Sequence, residues 1–184
     1  MFSGNKISIL DYKNSYTGSL LSNDELKDVK FGKNPYELFG VTNDAIYEWD
    51  LRNYKPVKIE KTFLGYSTLE VSKDYLCTGS KLGMIYIYEN LKSNPDHFPL
   101  HKEVTNLTTT ITHLSVNRDQ GLVCALSKWK QNASRVVELN SGRCIGGWPT
   151  TKTKIQFGNV GAFCGDSDMF AVGSSNGFIN IFNF

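Results

Sequence analysis

Much is missing from this sequence, and each gap narrows what the chain does. No apolar run approaches the roughly 18 residues that a membrane-crossing helix needs, so no membrane partner is expected. The first residues, Met1 to Lys6, hold no apolar stretch of a secretory leader, and none is expected. Cysteine is scarce. Cys77, Cys124, Cys144 and Cys164 lie 47, 20 and 20 residues apart, without a Cys-x-x-Cys pair. That spacing argues against zinc or a disulfide framework and for buried thiols in a reducing, cytosolic or nuclear compartment. The net charge of +2 is too small to demand a nucleic-acid partner. Apolar residues at helical spacing are nearly absent, which removes the helical bundle and α/β classes.

What is present is a repeated hairpin. Tyr75–Glu89 runs from a short apolar strand into a turn with Gly79 and Gly83, then leaves as Ile85 and Ile87 alternating with Tyr86 and Tyr88. Period-two alternation on both sides of a glycine-containing turn marks a β-hairpin. Phe170–Phe182 repeats it 94 residues later, with Gly173 and Gly177 at the positions of Gly79 and Gly83. Glu37–Asp50 repeats it 39 residues earlier, with Gly40 aligned on Gly79. Ile7–Asp11 lies another 39 residues upstream, and a less regular copy spans Leu122–Leu139.

Short strands rich in Ile, Val, Tyr, Phe and Thr fill the rest, four to a period. They are expected over 6–11, 16–21, 26–31, 36–41, 45–51, 56–60, 66–71, 75–80, 84–89, 101–107, 111–116, 122–127, 135–139, 143–148, 155–164, 169–173 and 178–182. Many short strands at a fixed period, without helices, indicate an all-β WD40-type β-propeller. About four repeats are expected, near 12–50, 51–89, 90–139 and 140–184, as one region starting in mid-blade. The first blade is expected to lack two inner strands and the last an outermost one. That leaves the C-terminal part of a longer protein, a reduced form completed by a partner, or a four-repeat ring closed by Tyr16–Leu21 pairing with the last blade; alone, the four repeats are expected to form an open arc or a small closed ring. Leu38, Leu76, Cys77, Ile85, Ile87, Val123, Cys124, Val172, Ile179 and Ile181 are the expected core.

Ile46–Leu51, which contains Trp49-Asp50, resembles the strand-end signature of the WD40 family, and Ser141–Ile145 its following turn and strand. Only one repeat carries Trp-Asp and none carries Gly-His, so the hydrogen-bond network tied to those residues is expected to be mostly lost. The second half is similar to something narrower. Val104–Asn117, the strand Leu122–Ser127, the hairpin Asn132–Leu139, Trp148-Pro149 and Ala171–Phe182 follow one another as in the C-terminal blades of the U3 small nucleolar RNA-associated protein 18 family. The likeness extends over roughly Ile46–Phe184. It implies a non-catalytic scaffold subunit of the small-subunit processome. Such a subunit supports U3 small nucleolar RNA-dependent pre-ribosomal RNA processing and small ribosomal subunit biogenesis in the nucleolus. Other propeller subunits would be its partners, with pre-ribosomal or U3 RNA touched by basic loops. The alternative is a WD40 adaptor in another complex, serving trafficking, chromatin or a ubiquitin ligase.

No catalytic set emerges, and no cofactor, metal or small-molecule substrate is expected. His113 lies in an alternating strand and suits a structural role. His97 and His101 fall beside Pro95 and Pro99 in a loop, without further ligands. Asp166 and Asp168 are turn formers. In an up-and-down sheet, the loop inside the hairpin and the loop between blades share one face. Lys61, Lys81, Lys128, Lys130, Lys152 and Lys154 are assigned to it; Lys73-Asp74, Arg118-Asp119, Asp166 and Asp168 to the opposite face. A one-sided lysine set suits phosphate backbone, and equally keeps loops soluble. Trp129, between Lys128 and Lys130 on a hairpin tip about four residues longer than its counterparts, is the candidate contact residue.

Overall fold

The computed structural model describes residues 2–10, 13, 17–89, 97–105, 107–117, 121–150, 152–153, 155–164 and 169–183. These hold seventeen strands and no helix. The first sheet is β1 (Phe2–Ser3), β2 (Lys6–Leu10) and β3 (Thr17–Leu21). The second is β4 (Leu26–Phe31), β5 (Glu37–Thr42), β6 (Ala45–Asp50) and β7 (Lys55–Lys61). The third is β8 (Tyr66–Val71), β9 (Tyr75–Ser80), β10 (Ile85–Glu89) and β11 (Leu100–Val104). The fourth is β12 (His113–Asn117), β13 (Leu122–Leu126) and β14 (Ser134–Glu138). The fifth is β15 (Gly158–Phe163), β16 (Met169–Ser174) and β17 (Ile179–Asn183).

Each sheet is an antiparallel meander in chain order, and the leading strands lie side by side, β4 against β8, β8 against β12, β12 against β15. This is the radial stacking of a β-propeller. β3, β7 and β11, which open the first three repeats read from sequence, hydrogen-bond back to the preceding sheet. Four repeats therefore distribute over five sheets. The strand expected over 143–148 is reduced to a single bridge between Val137 and Cys144. Gly147 takes a left-handed φ of 78°, and the Trp148 indole turns away to donate to the Ser134 hydroxyl at 2.9 Å.

Two expectations about the ends are corrected. β3 pairs with β2, Leu20 opposite Ile7, rather than with the last sheet; Tyr16 lies outside the described residues. The short pairing of β1 with β2 adds an inner strand that the alternation did not reveal.

The faces explain the core. One side of the second sheet, with Leu38, Ala45, Tyr47 and Trp49, packs on Ile7 and Leu20 of the first. The other, with Phe39, Val41 and Ile46, packs on Leu69, Leu76 and Tyr86 of the third. Cys77, Ile85 and Ile87 then meet Leu114, Val123 and Val137 of the fourth, whose Leu122, Cys124 and Leu126 meet Phe170 and Val172 of the fifth. Polar ties join neighbouring sheets. Thr68 Oγ1 and the Leu69 N–H donate to Asp28 Oδ2 at 2.8 and 3.1 Å, and His113 Nε2 lies 2.7 Å from the Gly161 carbonyl.

Gly40 is not the counterpart of Gly79. A Cβ on Gly40 would strike Trp49 at 2.8 Å, toward the first sheet; one on Gly79 would strike Ile111 at 2.6 Å, toward the fourth. The turn of β5–β6 closes Thr42 to Ala45, one residue shorter than Ser80 to Met84 in β9–β10. A one-residue slip in a period-two strand moves every side chain to the other face.

Ile179 and Ile181 are not core either. They are 73% and 68% exposed, whereas Ile85 and Ile87, 94 residues earlier, are 1% and 0% exposed. The fourth sheet covers the latter pair; among the described residues no sheet follows the fifth. Ile87→Ala should therefore cost about 2–5 kcal/mol. Ile181→Ala should stay within about 0.5 kcal/mol of the parent. Denaturant titration of both variants measures the contrast, and equal costs would refute the facing assignment.

Candidate interaction face

The loops at one end of the sheets form a continuous hydrogen-bonded belt. The β5–β6 turn accepts from the next connection, Thr62 N–H to Asp44 O at 2.9 Å and Tyr66 N–H to Asn43 O at 2.9 Å. The β9–β10 turn is held from both sides, Lys81 N–H to Gly65 O at 2.8 Å and Ile111 N–H to Ser80 O at 3.0 Å. Around the β13–β14 turn, Lys128 N–H donates to Thr112 Oγ1 at 3.1 Å and Asn132 N–H to Gln156 O at 2.7 Å. Ser175 N–H donates to Phe157 O at 3.0 Å in the β16–β17 turn. Hairpin turns and inter-sheet connections thus share one end of the molecule.

Lys61, Lys81, Lys128, Lys130 and Lys152 are exposed, and all but Lys152 belong to the belt segments traced by these bonds or flank them directly. Lys152 lies in the connection leading to β15; Lys154 lies outside the described residues, as do Arg118, Asp119, Asp166 and Asp168. Lys81 donates to the Asn43 side-chain oxygen. Lys130 Nζ donates to Thr108 Oγ1 at 3.4 Å, and the Lys128 ammonium sits 5.0 Å over the Trp129 ring. Trp129 is 64% exposed. Its tip, residues 127–133, exceeds the four-residue turns 81–84 and 175–178 by three residues, one fewer than expected.

The structure adds residues that strand patterning did not flag. Phe63, Leu82, Phe157 and Phe178 project from the same belt, all exposed. Phe63 does so with a left-handed φ of 55°, an outlier for a bulky side chain. Large apolar residues in otherwise polar loops were the available signal. A cavity of about 150 Å³ is lined by Thr108, Thr109, Lys130, Asn132 and Arg135 over Leu107 and Ala133. The charge is also uneven. Asp24, Glu25 and Asp44 occupy the belt over the first two sheets, where Lys27 first, and Lys81 further, hold the Glu25 carboxyl below its usual range. The segments 107–112, 127–133, 155–157 and 175–178 contain no Asp or Glu. Positive charge therefore dominates over the fourth and fifth sheets.

Two of the histidines, His101 and His113, are tied into the fold by their rings. His101 lies on β11 rather than in a loop, with Nδ1 3.1 Å from Glu89 Oε2 and Nε2 2.8 Å from Asn140 O. No three His, Cys, Asp or Glu side chains gather at metal-binding distance among the described residues. Cys77 and Cys124 are fully buried, but Cys144 is half-buried and Cys164 exposed, so burial does not extend to all four. Burial pushes the Cys77 thiol up and the Cys124 thiol up to about 12, and the thiolate is the reactive form. At pH 8 a thiol reagent should label Cys164 within minutes and Cys77 and Cys124 only after unfolding. Peptide mapping of the labelled native protein checks this, and native labelling of Cys77 would overturn the packing of β9.

No family model matches the chain. It is similar to "Probable U3 small nucleolar RNA-associated protein 18" of Schizosaccharomyces pombe, 29% identical over 162 residues, 80% of this chain and 31% of that protein. The corresponding protein of Saccharomyces cerevisiae is 28% identical over 118 residues, 61% of this chain and 20% of that protein. The human homolog is 25% identical over 170 residues, 87% and 30%. The chain thus spans about a third or less of the length of these relatives. The resemblance read from residues 46–184 is found in five proteins of that name. Among solved structures, a chain of the mitotic checkpoint complex aligns with a TM-score of 0.81 at 15% identity, over 98% of this chain and 57% of that one. The Neurospora crassa Pan2 WD40 domain aligns with a TM-score of 0.77 at 14% identity, over 98% and 56%. The fold is that of a WD40 β-propeller.

Proposed function

We propose that this chain acts as a non-catalytic scaffold in the small-subunit processome, in the nucleolus, supporting U3 small nucleolar RNA-dependent processing of pre-ribosomal RNA. The likeness to five relatives named for association with that RNA carries the reading. The geometry is consistent with it. Two thiols are buried, two of the histidines are engaged in the fold, and side chains suited to contact gather on one belt of loops. On this reading the basic half of the belt meets RNA phosphate through Lys128, Lys130 and Lys152, with Lys61, Lys81 and Lys154 as outlying contacts, and Trp129 stacks on a base. A second reading, a WD40 adaptor in another complex, draws support from the exposed Phe63, Leu82, Phe157 and Phe178, which suit a protein pocket.

The triple variant Lys128→Ala, Trp129→Ala, Lys130→Ala separates the two. Its melting temperature should match the parent's, because the tip is exposed. Affinity for a single-stranded pre-ribosomal RNA probe should fall by about 1–3 kcal/mol from the lost stacking alone. The salt slope should become shallower by about 0.7 for each lysine removed. Fluorescence anisotropy at several salt concentrations reads both. Unchanged RNA binding together with lost protein partners would favour the adaptor reading.

A further inference from the structure

We infer that the cavity between the connection 107–109 and the β13–β14 tip receives one unstacked pyrimidine base of single-stranded RNA, uracil ahead of cytosine. The inference rests on the RNA reading of the basic loops and adds which base they select. The cavity holds about 150 Å³, and an apolar cavity of about that volume accommodates one six-membered ring. Its floor is Leu107 and Ala133, both buried. A phosphate gains nothing from an apolar floor, whereas a base covers it with its ring face. A duplex keeps its bases stacked and does not present one, so the strand that fits is single.

The walls are fixed before any ligand arrives. On the tip, the Asn132 N–H donates to the Gln156 carbonyl at 2.7 Å, and the Gln156 N–H returns a bond to Asn132 Oδ1 at 3.0 Å. Gln131 Nε2 donates to Gln156 Oε1 at 2.8 Å. Across the cavity, Thr109 Oγ1 lies 2.8 Å from Ser127 Oγ, and Thr110 Oγ1 donates to the Lys81 carbonyl at 3.0 Å. A site already ordered spares the ligand that entropic cost. The rim chemistry selects the edge of the base. Lys130 and Arg135 carry donors only, and no lining residue is acidic. Arg135 Nη1 donates to the Ser134 carbonyl at 2.7 Å, which orients the guanidinium, and Lys130 Nζ reaches Thr108 Oγ1 at 3.4 Å. Uracil presents carbonyls on both sides of a ring N–H. The carbonyls suit the two cations, and the Thr108 hydroxyl accepts the N–H. Cytosine puts an amino group in place of one carbonyl and sets donor against donor.

Fluorescence anisotropy of the full chain with short labelled strands of uridylate and of cytidylate, at equal salt, provides the test. Uridylate should bind at least about fivefold tighter. Trp129→Ala should weaken both strands and preserve their ratio, because a stacking platform accepts any base. Arg135→Gln should bring the ratio to about one, by removing the forked donor. If that variant lowers the melting temperature, Thr108→Val, on the exposed connection, serves the same comparison. Equal affinity of the parent for the two strands overturns the inference and leaves the RNA reading standing; a site that reads phosphate alone gives this result. A ratio that survives both cavity variants, or that vanishes with Trp129→Ala, places the selection outside the cavity and overturns it as well. Binding of neither strand overturns the RNA reading and the inference with it.

Discussion

Each sheet from the second to the fifth has two apolar faces, and water tolerates neither. Full burial of a branched aliphatic side chain is worth about 1.5–3 kcal/mol, and an antiparallel sheet with both faces apolar recovers this only when sandwiched. Radial stacking is the arrangement that does so repeatedly with one short meander. The second sheet is covered by the first and third, the third by the second and fourth, the fourth by the third and fifth. The contrast between Ile85 and Ile179 follows directly. The two residues occupy the same place in the repeat and differ in whether another sheet lies beyond them.

The candidate interaction face is a by-product of that stacking. Stacked antiparallel meanders bring hairpin turns and inter-sheet connections to the same end, where their backbone groups satisfy one another across the sheets. A belt so restrained can hold Phe63 in a left-handed conformation and lift Trp129, Leu82 and Phe178 into solvent without loosening the core. The charge partition is a consequence of radial placement too. Residues distant in sequence, from 107–112 and 155–157, close around the tip at 127–133, and none of these segments carries a carboxylate.

The single Trp-Asp pair illustrates how such a fold persists after its signature thins out. Trp49 is buried and stacked on Tyr47 at 5.1 Å between ring centroids, yet its indole N–H has no hydrogen-bond partner among the described residues. It is retained as apolar bulk against the first sheet. Sheet-to-sheet ties come instead from locally chosen groups. Asp28 receives Thr68 and Leu69, Lys30 reaches Glu70 at 2.9 Å, and His113 reaches Gly161. Ties of this kind leave no common motif along the chain, which accounts for the weak identity of one repeat with the next.

Most strands and their meander order were determined by the sequence itself, because alternation and turn chemistry are local; β1 and the lost strand over 143–148 are the exceptions. The buried places of Cys77, Ile85, Ile87 and Cys124 followed from the same alternation. Trp129 was legible because a large aromatic between two lysines on a turn has little local reason to be buried. Three things were decided only by the tertiary structure. A turn one residue shorter between Thr42 and Ala45 reversed the faces of β5, which residue type alone does not signal. Phe63, Phe157 and Phe178 joined Trp129 on one belt only once radial stacking had brought their loops together. Ile179 and Ile181 carry the pattern of core residues and are solvent-exposed, because alternation records which face a side chain takes, while burial depends on what lies across from it.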